Sequence, residues 1–553
     1  MKRILSVLFF CLFVFATVLH AEDSLEHILG RIPVQSGGRA KPFETFAKEN
    51  VLLVTGKRNF EKTSPTILIW KWFSNPDEWS LKPLIPVSHP ELKKQFSSDL
   101  ANNRIAPSLI LNDLTFVGEV SKLQVKEEKE KKLNVIEKKK VELFQRARLF
   151  QEIAYQRMPG FVPHPEDPQV AWVPLEAFTS EEGIAIMANA FPKDLISEVA
   201  GTLGILLDKF KTNQVAETEV SAVHFESALN QLLMSQDIYL DRGRINKELF
   251  YNKFRPFQIA CILYLMSIFL GVAPNKKTNV ITLAFILFLS GFIAHAFGFA
   301  LRVMISGRAP VTNMYESIIW VSMGVALFSL ILRFFYRSPL VTTVGAFVAS
   351  FGLLIGESFP TFLDPSISPL VPVLRSNFWL TIHVLTITLG YGAFALNWGI
   401  SHFLLFSMVS KKKKELVDEI TQFAYRSLQI GVVLLSAGTI LGGVWASYSW
   451  GRFWGWDPKE TWALIAILCY LGVLHARTAG WLDNFGVGFW SSICFLSVIM
   501  AWYGVNFVLG VGLHSYGFGG GGLPYILAAI LTDLLILLAL AQKFKKRLAK
   551  ANR

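Results

Sequence analysis

Tryptophan is concentrated in one short stretch of this 553-residue sequence. Five of the 15 tryptophans lie within 18 residues, in the string WASYSWGRFWGWDPKETW at 445–462. Gly451 and Gly455 lie among them, and glycine lets the backbone approach a flat ligand closely. Tryptophan also favours the headgroup level of a membrane, but such belts are spread over many helix ends. We therefore predict a platform for a large planar apolar ligand, formed by Trp445, Trp450, Trp454, Trp456 and Trp462.

Histidine is the residue type that could hold a metal beside this platform. Ten histidines occur, and the apolar second half of the chain contains His295, His383, His402, His475 and His514. An ionisable group at bilayer depth is costly and is therefore a functional candidate. The alternative for each is a buried histidine that is bonded to a neighbouring carbonyl. His383 precedes the tryptophan string and His514 follows it, so a ligand on the platform could have an imidazole on each face.

The end of the tryptophan string predicts the start of a helix. Asp457 can cap the free amides of the first turn, Pro458 has the backbone angle that this turn needs, and Glu460 can bond back to the cap. This local role explains both carboxylates, so we base no hydrolytic mechanism on them.

The elements that must position these residues are membrane helices. Apolar residues make up 52% of the chain and charged residues 17%, with a mean hydropathy of +0.40, which excludes a disordered chain and an ordinary cytosolic enzyme. Runs of about 20 apolar residues are long enough to cross a bilayer. We predict nine spans near residues 257–273, 279–301, 315–335, 340–357, 377–409, 424–446, 460–476, 486–509 and 524–542.

The first half of the chain differs from the second. Residues 1–21 have a basic start, a short apolar core and a small residue before an acidic pair, which is typical of an export signal; an uncleaved anchor helix is the alternative. Residues 22–256 are rich in charge and lack long apolar runs, so we predict a soluble extracytoplasmic domain. Within this domain, Lys122–Ala147 should form one solvated amphipathic helix, and His89, His164 and His224 should be surface or capping residues.

The placement of charge supports this organisation. The formal net charge is +12, but residues 257–553 hold 21 basic and 10 acidic residues, so nearly all of the excess lies in the membrane half. The excess of basic residues therefore indicates a membrane protein and not a nucleic-acid-binding protein. With the 22–256 domain outside, 16 of those 21 basic residues fall on the inner side, as the positive-inside rule requires. Cys11, Cys261, Cys469 and Cys494 have no CxxC spacing and predict neither a disulfide framework nor a thiolate metal site.

Three segments carry a family resemblance. WGRFWGWDPKETWAL resembles the WWD signature of haem-handling proteins in cytochrome c maturation, and SGRAPVTNMYES (306–317) and LHSYGFG (513–519) resemble the CcsA (ResC) member of the System II synthetase. GGRAKPFETFA (37–47) is similar to variants with an extra exported domain. The resemblance covers the membrane half, 257–553, and implies a polytopic helical protein of the inner membrane with its C-terminus in the cytoplasm.

The resemblance also implies a function. The chain would be a haem lyase that exports haem b, holds it at the outer face and promotes thioether attachment to the CxxCH segment of apocytochrome c. His383 and His514 would ligate the outer haem, and Trp450, Trp454, Trp456 and Asp457 would complete the reaction site. His475 would ligate haem at an inner station, with the second ligand from a CcsB (ResB) partner. Arg452 and Lys459 could pair with the haem propionates.

Several alternatives remain at this stage. His402 could replace the partner's ligand at the inner station, and a thioredoxin-like thiol reductant could act with the complex. A System I haem protein shares the tryptophan signature. A b-type cytochrome or quinol oxidoreductase subunit would also combine membrane spans with bis-histidine haem. A haem-independent transporter with an aromatic substrate site would lack a haem absorption band.

Overall fold

A computed structural model describes residues 24–129, 133–164, 170–236, 238, 240–273, 277–360, 363–370, 376–410, 412–510, 512–513 and 522–551. The expected export signal at 1–21 therefore lies outside the described residues. The chain divides into two compact units, Met1–Phe254 and Arg255–Arg553.

The first unit is mostly helical with two small antiparallel sheets. The strands are β1 (Pro33–Ser36), β2 (Arg39–Pro42), β3 (Ile85–Pro86), β4 (Arg104–Ile105), β5 (Gly160–Val162) and β6 (Val173–Pro174). One sheet has the strand order β2, β1, β5, β6, and in the other sheet β3 pairs with β4. The helices are α1 (Leu25–Gly30), α2 (Phe43–Thr55), α3 (Pro65–Ser74), α4 (Pro76–Ser80), α5 (Pro90–Gln95), α6 (Pro107–Leu111), α7 (Leu114–Glu128), α8 (Val135–Ala154), α9 (Glu181–Met187), α10 (Lys193–Thr212), α11 (Val215–Met234) and α12 (Arg242–Phe254).

The segment GGRAKPFETFA forms the turn before β2, β2 itself and the start of α2. Gly37 and Gly38 both have positive φ and connect β1 to β2, a conformation that glycine adopts without strain. Arg39 then donates two hydrogen bonds, of 2.7 and 2.8 Å, to the Glu248 carboxylate on α12. The motif therefore ties the hairpin to the last helix of this unit.

The prediction of a single helix over 122–147 was wrong. The structure has two helices, α7 and α8, and α8 has its own start. Asn134 caps α8 by accepting the amide of Glu137, and the Glu137 carboxylate accepts the Asn134 amide. Such a reciprocal capping box begins a new helix even inside a charged helical pattern. His89 caps α5 by accepting the Glu91 amide, as a capping histidine would.

The second unit contains the membrane helices. Among the described residues, nine helices are long and apolar enough to cross a membrane, which confirms the polytopic helical fold. They include α13 (Pro256–Val272), α14 (Thr278–Ser306), α15 (Met314–Tyr336), α16 (Pro339–Ser358), α17 (Asn377–Val409), α18 (Lys414–Trp450), α19 (Pro458–Thr478), α20 (Asn484–Leu509) and α21 (Leu523–Ala551).

Helix α18 is longer than the predicted span 424–446 at both ends. It runs from Lys414 to Trp450 and stops where Gly451 adopts the left-handed conformation of a helix C-cap. The tryptophan string is therefore mostly helical. Trp445 and Trp450 lie on α18 and Trp462 on α19, whereas Trp454 and Trp456 lie in the short connection 451–457.

Two helices contain π-helical turns. In α17 these turns cover Leu380–Val384, and in α20 they cover Met500–Leu509. A π-helical turn inserts a residue and rotates the following side chains, and such turns are frequent at functional sites. Helix α17 packs against α15, α16, α18 and α20, and its π-helical turns pack against α18.

Candidate functional site

The π-helical turns of α17 and α20 both border one cavity. It encloses about 1200 Å³ of empty space, including the part that is open to solvent. Its described lining residues are Val311, Thr312, Asn313, Met314, Ser317, Leu380, His383, Val384, Ile387, Thr388, Tyr391, Thr439, Gly442, Gly443, Trp445, Ala446, Ser449, Trp450, Trp454, Lys459, Glu460, Ala463, Trp502 and Asn506.

His383 lies in the wall of the cavity and has a defined orientation. Its Nδ1 is 2.8 Å from the carbonyl oxygen of Gly438 on α18. A carbonyl can only accept, so Nδ1 carries the proton and Nε2 of the neutral ring carries the lone pair. The ring meets the Trp445 indole in a T-shaped arrangement, with the ring centroids 5.7 Å apart and an interplanar angle of 68°. In metal sites, a hydrogen bond from one ring nitrogen to a carbonyl commonly orients the imidazole that binds the metal through the other nitrogen.

The structure brings three of the five tryptophans to the cavity and places two elsewhere. Trp445, Trp450 and Trp454 line it. Trp456 is 69% exposed and meets Trp454 edge-on, with centroids 5.8 Å apart. Trp462 packs against the helix core around Tyr470. Neither Trp456 nor Trp462 is among the described residues of the lining.

The connection between α18 and α19 is organised by one carboxylate. Glu460 accepts hydrogen bonds from the amides of Gly455 and Asp457 at 2.8 and 3.2 Å, and from the Arg452 guanidinium at 3.1 Å. The Arg452 guanidinium also lies over the Trp450 ring, 5.8 Å from its centroid. Arg452 is thus engaged with the loop itself, and it is not among the described lining residues.

Asp457 has two structural bonds. It caps α19 by accepting the Lys459 amide at 2.9 Å, within the predicted capping box with Glu460. Its second oxygen accepts the Leu513 amide at 2.7 Å. Asp457 therefore holds the chain immediately before His514. His514 itself lies outside the described residues.

Lys459 is the one lysine or arginine among the described lining residues of the cavity. Its ammonium donates to the side-chain oxygen of Asn506 on α20 at 3.3 Å. Asn506 in turn donates to the Trp502 carbonyl at 3.0 Å. Trp502 and Asn506 were not predicted as site residues, because a tryptophan and an asparagine four residues apart in an apolar helix carry no distinctive signal. The π-helical turns at the end of α20 turn both toward the cavity.

The segment SGRAPVTNMYES builds another part of the wall around a buried carboxylate. Glu316 accepts from Arg302 at 2.7 Å and from the amide and hydroxyl of Thr312 at 2.9 and 2.8 Å. Arg308 lies 3.5 Å from the same carboxylate. Asn313 caps α15 by accepting the Glu316 amide. This network fixes the turn 311–314, which lines the cavity.

The other described histidines of the second unit, His295, His402 and His475, are not among the lining residues of this cavity. His475 is exposed near the end of α19, and its Nδ1 donates to the Leu471 carbonyl at 2.7 Å. The Nδ1 of His402 donates to the Trp398 carbonyl at 2.9 Å, and its Nε2 lies 3.0 Å from Asp533. His295 is fully buried between the Ile319 carbonyl and the Tyr264 hydroxyl. His295 therefore has internal partners at both ring nitrogens, whereas His402 bonds to the backbone through Nδ1 and faces the Asp533 carboxylate with Nε2.

The cavity wall combines an imidazole with flat apolar side chains and a cation. Within the described part of the chain, no group of three or more histidine, cysteine, aspartate or glutamate side chains could hold a metal ion. Among the described lining residues, the His383 imidazole, four indole rings (Trp445, Trp450, Trp454 and Trp502) and the Lys459 ammonium group surround a mostly apolar space. These groups fit an iron macrocycle, which brings four of its own metal ligands and needs axial imidazoles.

Comparison with known proteins gives the family. Residues 311–514 match the cytochrome c assembly protein family. CcsA of Prochlorococcus marinus strain MIT 9215 is 33% identical over 291 residues, which cover 46% of this chain and 91% of that protein. CcsA of strain MIT 9301 is 36% identical over 251 residues, which cover 39% of this chain and 78% of that protein.

A longer match extends into the first unit. NrfI of Wolinella succinogenes is 29% identical over 521 residues, which cover 89% of this chain. The match spans 54% of NrfI, so this chain corresponds to about half the length of that relative. These matches do not favour the quinol oxidoreductase alternative. The chain belongs to the CcsA-type family of cytochrome c biogenesis proteins.

Proposed function

We propose that this chain is the haem-handling subunit of a System II haem lyase. It would carry haem b to the outer face of the cytoplasmic membrane and hold it for covalent attachment to apocytochrome c. The observation that supports this most directly is His383. Its imidazole is oriented by a backbone carbonyl at the wall of an apolar cavity that tryptophans line.

The chain would act by positioning its substrates. In the reaction, each thiol of the acceptor's CxxCH segment adds across a haem vinyl group, so that sulfur and hydrogen both end on the former double bond. The addition needs no thiol from this chain. Holding reacting groups near contact can supply about 7–11 kcal/mol of a barrier reduction. Trp445, Trp450 and Trp454 would pack the macrocycle and exclude water, while His383 and His514 would fix the iron.

The outer residues of the tryptophan string would have supporting roles. Asp457 would place His514 through its bond to Leu513, and Glu460 would hold the loop that presents Trp454. Trp456 is exposed beside Trp454, where an approaching apocytochrome could contact it. Trp462 would support the three tryptophans of the cavity wall indirectly, through the helix core against which it packs.

The orientation of the chain in the membrane is inferred from the basic residues of its loops. With the first unit outside and the C-terminus in the cytoplasm, 16 of the 21 basic residues of 257–553 lie on the cytoplasmic side. The cavity, beside the connection 451–457, would then open to the outside. This is the side on which an exported apocytochrome is available.

A partner would complete the pathway. His475 lies 15 residues beyond Glu460, about 22 Å along α19 at ~1.5 Å per residue, and is exposed. It would ligate haem at an inner station, with the second ligand from a CcsB (ResB) subunit. A thioredoxin-like thiol reductant would keep the acceptor cysteines reduced.

The inner station gives a prediction for His475→Ala. The variant should lower the haem content of the purified full chain, because it removes a ligand from the loading site. The pyridine haemochrome assay measures this content directly. Haem content equal to that of the unsubstituted protein would contradict the role of His475.

The function is tested in cells that lack their own cytochrome c maturation system. The full chain, with and without a CcsB subunit, is expressed together with a CxxCH reporter cytochrome. Covalent haem on the reporter, detected by haem staining after denaturing electrophoresis, should depend on this chain. A chain that retains haem but never transfers it, and that is reduced by a quinol analogue, would instead be a b-type cytochrome.

Lys459 gives a prediction about the carboxylates of the substrate. Lys459→Met should weaken binding of mesoporphyrin by about 10–100-fold, because a hydrogen bond to a charged group contributes about 1.5–3 kcal/mol. Binding of the dimethyl ester should change by less than about threefold, since the ester has no carboxylate. Quenching of porphyrin fluorescence by the solubilised full chain measures both affinities.

Arg452→Met is the matched control for Lys459. Arg452 bonds to Glu460 within the loop, so its loss should weaken binding of the acid and the ester to the same extent. If Lys459→Met also affects both porphyrins equally, Lys459 does not recognise a carboxylate.

A further inference from the structure

Helix α18 meets the His383 side chain through two glycines one turn apart. Gly438 supplies the carbonyl oxygen that accepts from Nδ1 at 2.8 Å. Gly442 lies over the ring itself. A Cβ atom at Gly442 would be 2.6 Å from Cε1, 3.0 Å from Nδ1 and 3.2 Å from Nε2 of the imidazole. These separations are well inside van der Waals contact, so the ring occupies the space that any other residue at 442 would fill.

Gly438 makes the close approach of the two helices possible. A Cβ atom at this position would be 2.7 Å from Cα and 2.8 Å from the backbone nitrogen of Ile387 on α17. Backbone atoms of a packed helix cannot move aside easily. The absence of a side chain at 438 therefore brings the α18 carbonyl within hydrogen-bond distance of an imidazole on the neighbouring helix.

We infer that Gly438 and Gly442 form a slot that sets the ring plane and tautomer of His383, and that Gly442 is a positioning residue for haem binding. Gly438 fixes which nitrogen carries the proton. Gly442 leaves room for the imidazole against α18, in the wall of the cavity. The inference rests on the proposed function, because it assigns the slot a purpose only if His383 binds haem.

Gly442→Ala separates this role from a general role in folding. The atoms that the new methyl group would meet belong to the end of the His383 side chain, which can swing away, so the helices can still pack. A displaced imidazole would lose its hydrogen bond to the Gly438 carbonyl and its present orientation at the cavity wall. Groups that orient a metal ligand typically contribute about 10–100-fold to metal affinity.

The experiment uses the full chain, solubilised from membranes and titrated with haem. We expect Gly442→Ala to weaken haem binding by about tenfold or more, to change the reduced-state absorption spectrum and to shift the midpoint potential. Added imidazole should restore the spectrum, because it replaces a displaced ligand. Gly472→Ala is the matched control, since a Cβ atom at this α19 glycine would meet nothing within 4 Å, and it should bind haem like the unsubstituted chain.

Three results would overturn the inference. The first is Gly442→Ala with an unchanged spectrum and potential while His383→Ala loses haem, which would leave the proposed function intact. The second is a loss of haem in Gly442→Ala that imidazole does not restore, since the defect would then lie outside the ligand. The third is unchanged haem binding in His383→Ala, which would remove the proposed function as well.

Discussion

His383→Ala is expected to abolish formation of holocytochrome, with a loss of more than about 100-fold. Groups that merely orient a metal ligand contribute about 10–100-fold, so removal of the ligand itself should exceed that range. The imidazole is also one wall of the cavity, between Leu380 and Ile387. Alanine at this position leaves the space of the imidazole empty and removes the ring nitrogen that would bind the iron. The yield of reporter cytochrome with covalent haem measures the effect.

Added imidazole distinguishes the loss of a ligand from misfolding as the cause of inactivity in His383→Ala. It should enter the vacated space in His383→Ala and restore part of the activity, which it could not do for a misfolded chain. His224→Ala, at an exposed histidine of the first unit, is the matched control and should retain full activity. Full activity in His383→Ala without imidazole would contradict the assignment of His383 as a haem ligand.

Composition predicted the membrane helices well, because the requirement to bury about 20 apolar residues acts on every span alike. The helix ends were harder. Helix α18 begins at Lys414, ten residues before the predicted span, since a charged amphipathic turn can extend a helix beyond its apolar part. The other end lies at Trp450, four residues beyond the predicted span, where Gly451 adopts the left-handed conformation. A glycine among tryptophans does not by itself show whether the helix ends there or earlier.

The tryptophan string predicted the place of the site but not the role of each residue. Trp445, Trp450 and Trp454 line the cavity, whereas Trp462, only five residues into α19, faces the helix core. The face that a helix turns to a cavity is set by how it packs on its neighbours. Sequence spacing within one helix contains no information about that packing.

Contacts between distant segments were beyond sequence reasoning altogether. The carbonyl that orients His383 belongs to Gly438, 55 residues away, and the amide that Asp457 holds belongs to Leu513, 56 residues away. Both partners act through backbone atoms, which every residue type has. A single sequence cannot distinguish such partners from their neighbours.

The Glu316 carboxylate is expected to stabilise the cavity wall. It is fully buried, and the Arg302 and Arg308 side chains beside it are 1% and 8% exposed. Replacing it by glutamine removes the negative charge that faces both guanidinium groups. Removal of one partner from a buried ion pair typically costs about 3–5 kcal/mol, because the remaining charge is left in a medium of low polarity.

Glutamine cannot reproduce the hydrogen bonds of Glu316 either. One carboxylate oxygen accepts from Arg302 and the other from the amide and hydroxyl of Thr312. An amide has one accepting oxygen, so in either orientation its NH₂ group faces donors. We therefore expect Glu316→Gln to lower the thermal midpoint of the solubilised chain by about 6 °C or more, at roughly 2–4 °C per kcal/mol.

Glu415→Gln is the matched control for Glu316→Gln, because Glu415 is exposed in the first turn of α18. Its midpoint should stay close to that of the unsubstituted chain when both are followed by fluorescence-detected size-exclusion chromatography after heating. Haem binding should fall in Glu316→Gln alone, since the turn 311–314 that the carboxylate fixes lines the cavity. Equal midpoints for the two variants would mean that the guanidinium groups do not depend on Glu316, and the segment 306–317 would then have to be held by its backbone and caps alone.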